Sequence, residues 1–294
     1  MRPDGGLDRT RERGWALVSV LWAIAVLAMI AAAMQSLSFS TAVQERHAID
    51  RAAADAALDA AVMRAILGLS DARPAQRWRV DGVAQVYDFG GFRMGVAVQD
   101  ELGRIDLNAA DGTLIAQLLR SQGMERDDAA VLTDRILNWR SKDTGLTRLK
   151  GGGDDDYAQA GLTYRPRHAP FQSVDELKLV LGMTPDLFAR IRPALTVYSH
   201  KPTPDLQVAL REALLAFFPN QPDQVKEILA ARTQGADNDG LKARPGILTG
   251  TDSLAGRTFE IAVTLKTGQR TLERVAVIVL TNDKSKPYIA LAWR

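Results

Sequence analysis

The 294-residue chain contains no cysteine. That absence removes thiolate nucleophiles, thiolate metal sites and disulfides, while the redox compartment stays open because a large core can dispense with cross-links. Histidine is nearly missing as well, with only His47, His168 and His200. No charge of one sign dominates: 37 Lys and Arg stand against 35 Asp and Glu, a net of +2. Nothing in that balance points to a polyanion covering the whole surface. Proline is absent between Pro3 and Pro74, so no helix breaker interrupts the first quarter of the chain. With 46% apolar and 24% charged residues the remainder is globular in composition.

The feature most unlike an ordinary soluble domain lies in that proline-free stretch. From Trp15 to Met34 the sequence WALVSVLWAIAVLAMIAAAM carries no charge over 20 residues. As a helix it would be about 30 Å long, the thickness of the hydrocarbon of a bilayer. Arg2, Arg9, Arg11 and Arg13 precede it, with Asp4, Asp8 and Glu12, which keeps the short N-terminus cytoplasmic and places the rest of the chain outside. A cleavable secretory signal would have a shorter apolar stretch ending in a small-x-small site followed by turn residues; here the helical pattern continues. Leu58, Val62, Ala65, Ile66 and Leu69 form one apolar stripe, with Asp55, Asp59 and Arg64 off it. One helix is therefore predicted from Trp15 to about Leu69, wholly apolar at first and then amphipathic.

Further along, residues 80–89 and 92–99 flank Gly90 and Gly91 and read as a β-hairpin. Phe259, Ile261, Val263 and Leu265 alternate, Thr267-Gly268-Gln269 turns the chain, Val275, Val277 and Val279 alternate again, and Tyr288 to Trp293 supplies a last strand. Between these halves lies a helical block, with helix starts at Asn108, Asp127, Ser173 and Thr184-Pro185, the third as a capping box with Glu176. The fold class is α+β: a long N-terminal helix packed on a discontinuous antiparallel sheet, with an inserted all-helical domain.

In the helical block, Asp143, Asp154, Asp155 and Asp156 share a loop with Gly151, Gly152, Gly153 and, nearby, Asn138. Hard oxygen donors of this kind suit Ca²⁺ better than zinc or iron, and an acidic solvated loop has the same composition. Asp237-Asn238-Asp239-Gly240 lacks both end carboxylates of an EF-hand and reads as a turn. Lys150 and the three glycines after it lack the order of a phosphate loop, and neither His168 nor His200 sits in a nucleophile context, so the chain is not read as an enzyme. His47 falls on the polar side of the long helix and reads as a solvated residue. Residues 173–191 read as a helix, a turn with Gly182 and a helix, which resembles the helix-hairpin-helix that binds a DNA backbone and would make the chain a membrane-anchored DNA-uptake protein. Residues 107–198, however, hold 12 basic and 12 acidic residues, without the positive excess that phosphate contacts need. Nucleic acid is not expected as a partner.

A basic leader ending in Gly14, followed at once by an apolar helix that becomes the spine of a globular domain, resembles the class III signal of type IV pilins and type II secretion pseudopilins. DELGRIDLNAAD (100–111), ILNWRSKD (136–143), GGDDDY (152–157), YRPRHAPFQSVDELKLVLGM (164–183) and LFARIRPALTVYS (187–199) resemble the K-class minor pseudopilins of the type II secretion system. The family pattern often has Asn at His168 and Glu at Asp154.

The resemblance implies cleavage by prepilin peptidase between Gly14 and Trp15, and methylation of the new N-terminus. It implies Ser19 where bulk pilins carry Glu, a loss that suits a subunit with nothing ahead of it. It divides the chain into a leader (1–14), a transmembrane and assembly helix (15–34), a pseudopilin α/β domain (35–106 with 199–294) and the inserted helical domain (107–198). Its further implications are structural calcium at Asp143 and the 152–157 stretch, I- and J-class minor pseudopilins and other type II secretion inner-membrane components as partners, and a single-pass inner-membrane protein with its bulk in the periplasm. The expected function is a tip subunit of the pseudopilus that starts or caps it during protein export.

Overall fold

The computed structural model describes residues 9–71, 73, 77–142, 152–237, 254–267 and 270–294. In chain order, α1 (Arg9–Leu69) is followed by β1 (Gln85–Phe89), β2 (Phe92–Asp100), β3 (Ile105–Asp106), α2 (Gly112–Ser121), α3 (Arg126–Arg140) and α4 (Asp154–Gln159). A 3₁₀ segment at Val174–Leu179 precedes α5 (Pro185–Ile191), β4 (Leu195–Thr196), α6 (Arg211–Phe217) and α7 (Pro222–Asp237). The strands β5 (Thr258–Thr267), β6 (Arg270–Leu280) and β7 (Tyr288–Trp293) end the order. Two compact units divide the chain, Met1–Ala56 and Ala57–Arg294.

The long helix forms because nothing in its sequence stops it. No Pro or Gly falls between Gly14 and Gly68, and alanine, the strongest helix former, recurs throughout. It begins at Arg9 and not at Trp15, because Arg and Glu before Gly14 are themselves good helix formers. It ends where the Ser70 hydroxyl and amide both bond the Ile66 carbonyl, at 2.8 and 3.0 Å. Within the second unit the predicted stripe is the buried one: Leu58, Val62, Ala65, Ile66 and Leu69 are all at most 4% exposed. The polar flank of the same stretch reaches the sheet, where Asp59 accepts from the Trp293 indole at 3.2 Å and pairs with Arg274 at 3.1 Å.

The five-stranded sheet is antiparallel throughout, in the order β1-β2-β5-β6-β7. Its centre joins strands from opposite sides of the helical block, with Val96 beside Val263 and Val98 beside Ile261. Gly90 and Gly91 both hold positive φ, at 60° and 82°, the handedness a two-residue hairpin turn demands. The first strand starts at Gln85 and not at residue 80. Before it, Gly82 at φ 77° breaks the regular ladder and leaves Asp81 in an isolated bridge with Gln99. The turn expected at Thr267-Gly268-Gln269 falls partly outside the described residues.

The helical block has one core, shared by Leu114, Leu118, Leu132, Ile136, Phe188 and Ile191 and extended by Leu214 of α6 and Val225 of α7. Three expected caps are corrected. The N-cap of α2 is Asp111, whose carboxylate accepts from the Leu114 amide at 2.8 Å, because Asn108 is held by Phe171 instead. Glu125, not Asp127, precedes α3. Ser173 makes no side-chain cap bond and its segment is 3₁₀; Glu176 reaches the Gln172 amide and Arg167, so no capping box forms. Thr184 does cap α5, accepting from Leu187 with Pro185 at the first position.

Candidate assembly surface and aspartate loop

In the first unit, every side chain described between Trp15 and Ala32 is exposed, Trp15 at 82% and Trp22 at 70%. Leaving such groups in water forfeits about 25 cal/mol for each Å² of apolar surface, so this stretch requires an apolar environment or a partner. Among the described residues no helix is long and apolar enough to cross a membrane. Gly14, Trp15 and Ser19 all lie within continuous helix.

The aspartate run opens the short helix α4. Asp156 is turned inward: its Oδ2 accepts from the amides of Gly152 and Gly153 at 2.7 and 2.8 Å. Gly152 has φ 118°, and a Cβ there would lie 2.8 Å from Arg135 Cγ, so this amide geometry requires glycine. Asp154 faces cations, with Oδ1 3.2 Å from His168 Nε2 and Oδ2 3.6 Å from Arg165. Asp155 is exposed. Beneath the loop, Trp139 packs on Tyr157 and Phe171, and the Tyr157 hydroxyl, in a fully buried residue, accepts from the Leu181 amide. Burial pushes the Tyr157 phenol above its ordinary pKa.

The carboxylates and carbonyls of this loop are oxygen ligands of the kind a hard cation takes. Asn138 donates to the Gly152 carbonyl, and its buried Oδ1 has no hydrogen-bond partner among the described residues. Such an orphaned oxygen fits a Ca²⁺ ligand, whereas Arg165 and His168 beside Asp154 compete with a cation for that carboxylate. Among the described residues no three His, Asp or Glu are gathered as a metal site. Asp143 lies outside the described residues, as do Lys150 and residues 238–240 of the expected turn; the side chain of His47 also falls outside.

The polar residues of the 100–111 segment have a different role, which sequence reasoning missed: they fasten the helical block to the sheet. Asp106 is fully buried and accepts from the amides of Asn108 at 2.7 Å, Ala109 at 3.1 Å and His200 at 2.8 Å, and from the Ser199 hydroxyl at 3.3 Å. The Asn108 side chain grips Phe171 through both its amide and its carbonyl. Arg104 bonds Glu101 at 3.0 Å and, across the junction, Glu260 of β5 at 2.6 Å. Asp100 pairs with Arg257 and caps the following turn through the Leu102 amide. Burial outweighs these cations in setting two titrations, raising Asp100 to about 6 and Glu101 to about 7. The spaced Asp and Asn of DELGRIDLNAAD were the available signal, since such residues favour local amide bonding.

The helix-hairpin-helix-like segment is a packing unit. Leu177, Val180, Leu187 and Phe188 are buried, Lys178 is paired with Asp175 at 2.5 Å and lies over the Phe188 ring, and Arg167 is paired with Glu176. Cations so engaged are poorly placed for phosphates.

A helical spine, an antiparallel sheet split across the sequence and a helical insert buttoned to it by buried polar groups define a pilin-like body enlarged by an inserted domain. The family described as type II secretion system (T2SS), protein K, matches residues 98–200, the insert together with its junctions. Two relatives named type II secretion system protein K are each 28% identical: that of Pectobacterium carotovorum subsp. carotovorum over 63% of this chain and 62% of its own length, and that of Klebsiella pneumoniae over 76% of both. A chain of the crystal structure of the GspK-GspI-GspJ complex from the enterotoxigenic Escherichia coli type 2 secretion system shares the fold, with TM-score 0.56 and 14% identity over 86% of this chain and 98% of that one. Residues 98–200 thus carry the pattern of type II secretion system protein K, and most of the chain is similar to proteins of that name.

Proposed function

We propose that the chain is a tip subunit of the type II secretion pseudopilus, held by its apolar helix first in the inner membrane and then against the helices of companion pseudopilins. The observation that carries this reading is the exposed apolar surface of the described 15–32 stretch on a helix continuous with a folded body. Burying one Leu- or Val-sized side chain contributes about 1.5–3 kcal/mol, so a few such contacts hold an assembly. The complex in which the structural relative was solved supports I- and J-class minor pseudopilins as the companions. Prepilin peptidase would release the leader between Gly14 and Trp15, and Ser19 in place of a buried Glu suits a position with no subunit ahead. An insert fastened by a buried polar network is rigid enough to start or cap the filament during protein export. The other inner-membrane components of the system would meet the helix before it leaves the bilayer.

The absence of cysteine provides the experiment. Leu21→Cys in a secreting cell creates a single thiol, and a thiol cross-linker should join it to an I- or J-class pseudopilin carrying its own helix cysteine. Cross-links to no pseudopilin at any of several helix positions would contradict the reading.

Calcium is proposed as a structural ion held by Asp143 with the Asp154–Asp156 stretch, where it would offset carboxylate repulsion and tie down the loop. Calorimetric titration of chelator-treated protein should show binding that Mg²⁺ replaces poorly. Absence of a calcium heat would leave Asp154 to Arg165 and His168, and Asp156 to its two amides.

A further inference from the structure

The sheet leaves β7 as an edge strand. Edges exposed to solvent are normally blunted by charge or proline. β7, with the sequence YIALAW, has neither, and its pairing is interrupted by one register shift, opposite Val277 and Ile278. Arg294, continuing the ladder, exchanges both backbone bonds with Val275, so alternate amides and carbonyls along this edge point away from the sheet. Both faces of the strand are apolar and exposed. Ile289 is 55%, Leu291 45% and Trp293 36% exposed; the Trp293 indole reaches Asp59 of α1, and Tyr288 touches the sulfur of the exposed Met63. The opposite edge, β1, carries Gln85 and Asp88, and its Tyr87 is stacked on Trp78.

Charge decides what fits. The turn before β7 presents Lys284 and Lys286, both exposed and in no ion pair among the described residues, and Asp283 in the same turn is occupied by the amide and hydroxyl of Ser285. Arg294 stands at the other end of the strand. Antiparallel pairing of β7 with a second copy would set Lys286 against Arg294 of that copy, and parallel pairing would set lysine against lysine. Parallel pairing repels, and antiparallel pairing offers the lysines no carboxylate beyond Glu260, which Arg104 and Arg294 already share. The complement is an extended strand of a different chain, apolar in alternation and flanked by carboxylates.

We propose that β7 is the docking edge for such a strand from a companion pseudopilin of the tip complex, main-chain bonds extending the sheet while the lysines select acidic flanks. This rests on the assembly reading above, and it names the surface that reading leaves open.

The test uses the full-length chain in detergent, alone and co-purified with full-length I- and J-class pseudopilins, followed by hydrogen exchange. Amides of β7 should slow at least about tenfold in the complex and not in the chain alone. Ile289→Lys, and separately Lys284→Glu with Lys286→Glu, should weaken the complex about tenfold or more with the melting temperature of the chain unchanged, whereas Val86→Lys on the β1 edge should not. A complex that forms with β7 unprotected and tolerates Ile289→Lys overturns this proposal and leaves the assembly reading standing. Protection of β7 in the chain alone at high concentration would make a second copy the occupant and overturn it as well. Failure of the unaltered chain to bind either partner overturns both.

Discussion

Asp106 shows how one side chain can hold two parts of a chain together. Four groups from both crossings between sheet and insert converge on its carboxylate. Asp106→Ala should therefore destabilise the protein by about 3 kcal/mol in a denaturant titration, because several buried donors lose their acceptor together. Asp100 and Glu101 produce a pH dependence of unusual sign. Their folded values, about 6 and about 7, lie above the ordinary carboxylate range, so between about pH 4 and 7 the folded state binds protons that the unfolded chain has released. Stability from these groups falls as pH rises through that window and is regained on mild acidification; Glu260, held low by Arg104, contributes in the opposite direction. The melting temperature should be about 2–4 °C higher at pH 5.5 than at pH 7.5, and Glu101→Gln should flatten the difference. The burial of Asp100 and Glu101 was not legible in sequence, where both look like ordinary surface acids; Arg257, which pairs with Asp100, and Glu260, which shares Arg104 with Glu101, lie more than 150 residues downstream.

At the scale of elements, periodicity carried most of the reading. The 58–69 stripe of α1, the Gly90-Gly91 hairpin, the alternation of β5 and β6 and the short β7 are local patterns, and each appears as an element. Leu58→Ala, which removes a side chain only 1% exposed, should cost about 2–4 kcal/mol without altering assembly through the apolar stretch. The segment expected after Ser173 does start there, as 3₁₀, while the capping roles expected of Asn108 and Glu176 are lost to other partners: Phe171 takes Asn108, and Arg167 with the Gln172 amide takes Glu176. Helices α4, α6 and α7 had no strong cap or long period to announce them. Gly152 belongs to this scale as well. Gly152→Ala should loosen the 152–157 turn, read as faster proteolysis there, since the new Cβ would meet Arg135.

For the molecule as a whole, the account joins an apolar helical stretch that requires partners to a body stiffened by buried polar junctions. The family resemblance was legible in the 100–199 wording, which falls within the matched residues 98–200. The aspartate loop was only half legible: sequence shows which oxygens are near one another, while the commitment of Asp156 to two amides and of Asp154 to His168 and Arg165 appears only in three dimensions. Processing belongs to this scale too. Mass spectrometry of the protein from a secreting cell should find an N-terminus at Trp15, methylated; a retained leader would speak against handling by prepilin peptidase. The most direct test of the central claim is to combine the region from Gln35 onward with the matching regions of the I- and J-class pseudopilins and measure the mass of the species that elutes. The account predicts an equimolar ternary complex, and separate elution of three folded proteins would contradict it.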